Sequence, residues 1–221
     1  MIWVMPDYLA VGSDDDYVRV PLGLDEALTV ARRFGFTLPT RKMVDAIYSA
    51  AERRLEPRPM PAGPEMTSLG YLSTHNRTIE GQLHGARPGK LVCGHKKDIV
   101  ITPRLAERAG KVAIYGWHKA EGLPIQPLST VHEARYADYS HGVRLVSDTV
   151  FIGDARRPVF DVLEDPSLCR LLSDEGVNRY ARRALGAPSG RLAPLDPGIP
   201  RIPLPAPRST PRQVPLPGRS G

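Results

Sequence analysis

The spacing of apolar and polar positions predicts strands at the start of the chain. Runs rich in β-branched and aromatic residues, separated by turn-forming residues, occupy 2–5, 8–11 and 17–20. Pro6-Asp7 and the polar stretch 12–16 lie between them. Short apolar runs with punctuated ends are typical of strands. We therefore expect three short strands before residue 21.

Helical spacing of apolar residues predicts two helices, at 24–34 and 41–55. Thr40 is placed to cap the second helix, because its hydroxyl can accept a hydrogen bond from a free backbone N–H in the first turn. Pro57 then ends this helix, since proline removes a backbone donor. An extended connector follows as far as Met66.

The segment 73–86 is mostly polar and is interpreted as a surface helix or a mobile lid. We expect its two histidines, His75 and His84, to be exposed to solvent.

Apolar runs of strand length dominate the second half of the chain, at 91–93, 99–101, 112–115, 143–146 and 149–152. A dense polar insert, 94–98, separates the first two runs. Together with the helices, this pattern predicts an α+β fold. It consists of a mixed or antiparallel sheet, a few packed helices and a single domain over 1–186.

The C-terminal stretch 187–221 has a different composition. It holds ten of the 23 prolines and five arginines against one aspartate. A segment with so few core-forming residues cannot bury enough apolar surface to fold. The sequence therefore predicts a disordered Pro/Arg-rich tail, which could serve as a tether.

Three of the six histidines, His118, His132 and His141, fall within 111–147. Trp117 and His118 are predicted to follow the end of one strand, and His141 to enter another. If these strands were antiparallel neighbours, His118 and His141 would meet at one edge of the sheet. The candidate catalytic residues are His95, Asp98, His118, His132, Asp138, Ser140 and His141, and the candidate binding residues are Lys96, Lys97, Trp117, Tyr139 and Arg144.

A metal-free hydrolytic site is one interpretation of these residues. Ser140 or Tyr139 would act with a histidine base supplied by His118 or His95. Asp138 or Asp98 would orient the base, and Lys97 or Arg144 would stabilise an anion. An alternative is a structural role, in which polar side chains of an irregular loop satisfy backbone groups.

A catalytic zinc is a further alternative, because three of these histidines and Asp138 supply donors of the right type. None of the close ligand pairings typical of zinc enzymes is present, so the residues identify neither a metal nor a cofactor. Cys93 and His95 also permit a Cys–His nucleophile, but Cys93 between apolar residues is better interpreted as a small core residue.

Charge, cysteine content and hydropathy argue against some classes of protein. Of the net charge of +6, the tail accounts for +4 and the remainder for only +2, which argues against a nucleic-acid surface. The two cysteines allow at most one internal disulfide. No signal peptide or membrane span is visible, so we expect a soluble, cytoplasmic chain, or an exported one if the start codon is misplaced.

The blocks GHKKDIVIT, VAIYGWH and DYSHGVRLV are similar to those of a family of uncharacterised bacterial proteins, over residues 2–176. This resemblance implies one folded unit and carries no activity. A weaker similarity to cell-wall peptidases rests on the order of the strands DIVIT and VAIYGWH. We therefore expect a hydrolase of a peptide or cell-envelope polymer, or alternatively a non-catalytic binding or structural module.

Overall fold

The computed structural model describes residues 1–85, 89–186 and 198–204 of the chain. The helices of this part are α1 (Leu24–Arg33), α2 (Arg41–Ala50), α3 (Leu69–Leu83), α4 (Val159–Glu164) and α5 (Tyr180–Leu185). The strands are β1 (Ile2–Val4), β2 (Ala10–Gly12), β3 (Tyr17–Arg19), β4 (Phe36–Thr37), β5 (Arg53–Arg54), β6 (Val92–Cys93), β7 (Lys97–Ile99), β8 (Ile114–His118), β9 (Pro124–Ser129), β10 (His141–Gly142), β11 (Val146–Ile152), β12 (Ala155–Pro158) and β13 (Arg201–Ile202). The predicted α+β class is confirmed.

Two larger sheets organise the molecule. One has the strand order β12-β11-β1-β13, with β4 also paired to β11, and all of its pairs are antiparallel. The other has the order β10-β7-β8-β9, and its edge strand β10 runs parallel to β7. Parallel and antiparallel pairs therefore occur together, as the prediction of a mixed sheet allowed.

The helices α1 and α2 bury their apolar faces in the main core, which also takes in residues of both larger sheets. Thr40 caps α2 as predicted, since its Oγ accepts a hydrogen bond from the Met43 N–H at 3.2 Å. The helix ends at Ala50 rather than Leu55. The backbone after it pairs with β6 instead, and Leu55 donates to the carbonyl of Cys93 at 2.8 Å.

Helix α3 begins earlier than predicted, at Leu69, because the Ser68 hydroxyl accepts a hydrogen bond from the Tyr71 N–H. His84, at the end of the helix, is exposed as expected. The expectation for His75 is wrong. This side chain is 1% exposed, because α3 packs it edge-on against the rings of Trp117 and Tyr139.

Several strand boundaries also differ from the prediction. β8 continues through Trp117 and His118, and β7 includes Lys97 and Asp98 of the polar insert. The expected turn at 147–148 is absent, because β11 stays extended there while it pairs with β4. Pairing with neighbouring strands therefore extends β7, β8 and β11 through polar residues.

Residues 198–204 are ordered, unlike the disordered tail predicted for 187–221. β13 pairs with β1, and Ile202 is buried against the main core. This stretch therefore belongs to the folded domain, whereas most of the predicted tail, 187–197 and 205–221, lies outside the described residues. None of the helices in the described part of the chain is long and apolar enough to cross a membrane.

Candidate active site

The loop that enters β10 holds three polar side chains in one compact arrangement, the acid–base cluster of Asp138, Ser140 and His141. The Asp138 carboxylate accepts two hydrogen bonds from Ser140, from its N–H at 2.8 Å and its hydroxyl at 2.5 Å. Its second oxygen accepts a bond from the Tyr136 hydroxyl at 3.1 Å. These bonds fix the position of the carboxylate. They also satisfy one backbone N–H, as the structural interpretation expected.

His141 is 0% exposed, yet neither of its ring nitrogens has a hydrogen-bond partner among the described residues. Its Nε2 lies 3.9 Å from Asp138 Oδ2, which is close but beyond hydrogen-bonding distance. Buried polar groups in proteins are nearly always hydrogen-bonded, so a ring with two unpaired nitrogens requires a physical explanation.

The protonation states in this cluster follow from burial and from the pairing of charges. Burial lowers the pKa of His141 to about 4, although Asp138 acts in the opposite direction. Burial alone would raise the pKa of Asp138, but His141 and the hydrogen bonds from Ser140 hold it below its ordinary value. At neutral pH, a neutral imidazole therefore stands beside an ionised carboxylate.

Three half-buried side chains, Lys97, His132 and Tyr136, lie around the cluster and form its rim. The ring of His132 stacks on that of Tyr136 with centroids 4.4 Å apart, and its centroid lies 6.1 Å from that of His141. Lys97 is the partner of His141 in the register of β7 and β10. Burial lowers the pKa of Lys97, and Asp138 partly offsets this effect.

Three of the predicted binding residues, Lys96, Trp117 and Tyr139, lie next to the cluster or its rim. Lys96 Nζ donates to the Tyr139 carbonyl at 2.6 Å, and burial followed by the charge of Arg19 lowers its pKa to about 7. Trp117 has a φ of 56°, and its ring centroid lies 4.9 Å from Lys97 Nζ. A left-handed conformation at a bulky residue costs about 1–3 kcal/mol and is concentrated at functional sites.

His118 does not meet His141, so the predicted shared edge is wrong. β10 pairs with β7, and β7 separates it from β8. His118 Nε2 instead lies 3.0 Å from Asp45 Oδ1, and its ring stacks on Tyr48. Asp45, whose side chain is 48% exposed, also accepts a hydrogen bond from Tyr115. This is a second histidine–carboxylate pair, separate from the acid–base cluster.

The remaining predicted residues, His95, Asp98 and Arg144, belong to a buried ionic network completed by Asp7, Tyr8 and Arg19. Arg19 donates to Asp7 at 2.6 Å, and His95 Nε2 lies 3.1 Å from the same carboxylate. Neither His95 nor His118 contacts Ser140 through a hydrogen bond, so the expectation that one of them activates its hydroxyl is wrong.

Asp98, Tyr8 and Arg144 form the second half of this network. Tyr8 donates to Asp98 at 2.9 Å, and the Arg144 guanidinium lies 4.0 Å from the Tyr8 ring centroid. Burial raises the pKa of Asp98 to about 6, against the effects of Arg144 and the Tyr8 bond. Arg144 also donates to the carbonyls of Met5 and Val92.

Local sequence does not identify several of these partners. Asp7 lies in a predicted turn, and 88 positions separate it from His95. Asp45 lies within the predicted helix 41–55, and Arg19 within the predicted strand 17–20. No local spacing links such residues, so only long-range packing brings them to the histidines.

The described residues do not support the metal or cysteine interpretations. They contain no group of three or more His, Cys, Asp or Glu side chains that could hold a metal ion. Both cysteines are free and buried. Burial raises the pKa of Cys93 to about 12, which keeps it a thiol and fits the interpretation as a small core residue.

Comparison with protein families, with curated proteins and with solved structures finds no match to this chain.

Proposed function

We propose that this protein is a hydrolase of an amide bond in a peptide or cell-envelope polymer, and that the acid–base cluster carries out the reaction. The observation that carries this proposal is the buried, unpaired imidazole of His141 beside the Asp138 carboxylate. A neutral histidine oriented by a carboxylate is the usual arrangement of a general base. Such contacts are often long before substrate binds, which accounts for the separation of 3.9 Å.

In the proposed mechanism, His141 removes a proton from a water molecule as the water oxygen bonds to the substrate carbonyl carbon. Asp138 stabilises the imidazolium that forms. The Lys97 ammonium stabilises the negative charge that develops on the carbonyl oxygen. The C–N bond then breaks, and His141 returns the proton to the leaving amine.

Water is the nucleophile in this proposal because Ser140 is poorly placed for that role. Its hydroxyl donates to Asp138, and it makes no hydrogen bond to a histidine of the described chain. Ser140 instead holds Asp138 in position. The choice of a peptide or cell-envelope substrate rests only on the weak resemblance of the DIVIT and VAIYGWH strands to cell-wall peptidases. In this proposal, substrate reaches the cluster past the half-buried rim.

Incubation with purified peptidoglycan and with unfolded protein substrates tests this proposal, with release of free amines as the readout. We expect His141→Gln and Asp138→Asn to lower the rate at least about 100-fold, the usual contribution of general acid–base catalysis. His132→Gln, on the rim of the same site, is the matched control and should retain most of the activity. Full activity in a folded His141→Gln variant would overturn the proposal.

The identity of the nucleophile and the pH profile provide further tests. Ser140→Ala should remain active, and a fluorophosphonate probe should not label the protein. The rate should fall as the pH drops through the pKa of His141, about 4, because the protonated ring cannot act as a base. Labelling of Ser140 with loss of activity in Ser140→Ala would replace water by a serine nucleophile.

A second candidate function is recognition of a ligand without reaction, as in the binding-module alternative. The observation that favours it is the complete burial of Ser140 and His141. Here a ligand would bind at the rim and bond to His141. Two results together would support this candidate over hydrolysis. The wild type would sediment with peptidoglycan without releasing amines, and His141→Gln would no longer sediment with it.

A further inference from the structure

A cleft of about 310 Å³ is lined by residues other than those of the acid–base cluster. The segment 5–14 forms one side, and the end of α3 with Lys90 and Val92 forms the other. None of the predicted site residues lines it. Its volume lies at the lower end of the range for small-molecule sites.

The floor of the cleft is apolar and aromatic. It includes Met5, Tyr8, Leu83, Val92 and Leu145, and the last four of these side chains are buried. Concave sites lined mainly by apolar and aromatic side chains, with a few fixed polar groups, are typical of ligand pockets.

The buried ionic network holds this floor in place. Arg144 donates to the carbonyls of Met5 and Val92, at 3.0 and 2.7 Å, and so ties the two sides of the cleft together. Asp7, which also lines the cleft, is fixed by Arg19 and His95. A cleft whose walls are fixed before binding loses less conformational entropy when a ligand enters.

The charges around the cleft are acidic although the whole chain is basic, at +6. Asp14 lines the mouth and is exposed, and it continues into the acidic turn with Asp15 and Asp16. Arg19 and His95 keep the pKa of Asp7 far below its ordinary value despite burial, so Asp7 stays ionised. Among the described residues that line the cleft, the cation is Lys90, which is paired with Glu52 at 2.8 Å.

We infer that this cleft binds a small ligand that combines an apolar or aromatic body with a cationic amine or guanidinium group. The apolar body fills the floor, and the cation lies at the mouth beside Asp14. The inference does not depend on the proposed hydrolase, because the cleft shares no residue with the acid–base cluster.

Three matched probes test the inference by NMR titration of the full chain: phenethylamine, phenethyl alcohol and 3-phenylpropionate. They share a phenyl ring and differ in charge. We expect the amine to bind most tightly and the carboxylate most weakly, with shift changes in the methyl groups of Leu83, Val92 and Leu145. Equal affinity for the three probes, or no binding of the amine, would overturn the inference.

Two pairs of variants locate the site. Ala10→Phe should abolish amine binding, because Ala10 lines the cleft, whereas Val11→Phe places the same ring on the opposite face of β2 and should not. Asp14→Asn should weaken amine binding about two- to fivefold, the usual effect of an exposed charge, and Asp15→Asn should weaken it less. The Asp14 pair keeps the test decisive if Ala10→Phe does not fold.

The proposal for the cleft and the proposal of a hydrolase can be overturned independently. His141→Gln should bind phenethylamine with unchanged affinity. A change in that affinity would contradict the independence of the cleft, while loss of hydrolysis with unchanged amine binding would support both sites.

Discussion

Lys97 and Asp98 are neighbours on β7, and their side chains leave opposite faces of the strand. On the Asp98 side, the buried ionic network pairs almost every charge with a partner, although single nitrogens of His95 and Arg144 remain unpaired. On the Lys97 side, the acid–base cluster leaves both nitrogens of His141 without a partner among the described residues. Both regions are buried and polar, so burial does not distinguish them. They differ in hydrogen bonding, because His95 keeps one paired ring nitrogen and His141 keeps none.

The largest expected effect is in the ionic network. Arg144→Met keeps most of the side-chain volume but leaves the carbonyls of Met5 and Val92 without their donors. It also removes the positive charge beside buried Asp98. We expect a loss of about 3 kcal/mol or more in the free energy of unfolding, measured with urea. The exposed control Arg58→Met should change it by less than about 0.5 kcal/mol.

A pair of matched substitutions compares the two regions directly. Asp7→Asn removes the charge that pairs with Arg19, whose side chain is 1% exposed, and should cost about 3 kcal/mol. Asp138→Asn keeps an oxygen that can accept the bonds from Ser140, and should cost about 1 kcal/mol. Equal losses in urea unfolding would mean that the acid–base cluster is as structural as the ionic network.

His141→Leu should separate stability from function. Because neither ring nitrogen has a partner, an apolar side chain of similar size should leave the protein equally stable or stabilise it by up to about 1 kcal/mol. Hydrolysis should be lost. The control is His118→Leu, which breaks the contact with Asp45 and should destabilise the protein. Marked destabilisation by His141→Leu in thermal unfolding would assign His141 to the structure alone.

The smallest effect is a difference in pH dependence. The pKa of His141 is about 4 in the folded protein, below the usual 6.5. Between about pH 4 and pH 6.5 the unfolded chain therefore binds more protons at this residue. As a result, His141 lowers the stability of the folded protein as the pH falls. Asp98 has a folded pKa of about 6, above its ordinary value, so between about 4 and 6 it has the opposite effect. The stability gain of His141→Leu should therefore grow from pH 7 to pH 5, whereas an Asp98→Asn variant should lose stability relative to wild type over that range. Melting temperatures of the wild type and the two variants at pH 7 and pH 5 check both predicted directions.

Local patterns predicted the helices and several strands, but most of the ends differ. The predicted strand at 143–146 is wrong, because only Val146 lies in a strand there, as the first residue of β11. The cap at Thr40 and the position of α1 follow from side chains a few residues apart, which is the range of such signals. The end of α2 does not, because pairing of Arg53 and Arg54 with β6 competes with the helix. The burial of His75 likewise depends on Trp117 and Tyr139, far away in the chain.

The candidate site was predicted in part. The sequence predicts site residues in the stretch 138–141, and Asp138, Ser140 and His141 do form a compact cluster. The histidines that were expected to join it lie elsewhere, His118 with Asp45 and His95 with Asp7. Whether β10 joins β7 or β8 decides which histidines can meet, and the alternation of residues does not contain that information.

The order of residues along the chain is enough to predict the α+β class, the amphipathic helices and the local Asp138–Ser140–His141 grouping, because each depends on interactions between residues close together in the chain. Which buried polar groups have partners depends instead on packing between distant segments. The partners of Arg19, His95, Arg144 and His118 come from distant segments, while β10 places His141 at a sheet edge where no described residue bonds to its ring. Pairing between distant residues is a property of packing. It gives His95 and His118 one paired ring nitrogen each and leaves His141 with none among the described residues.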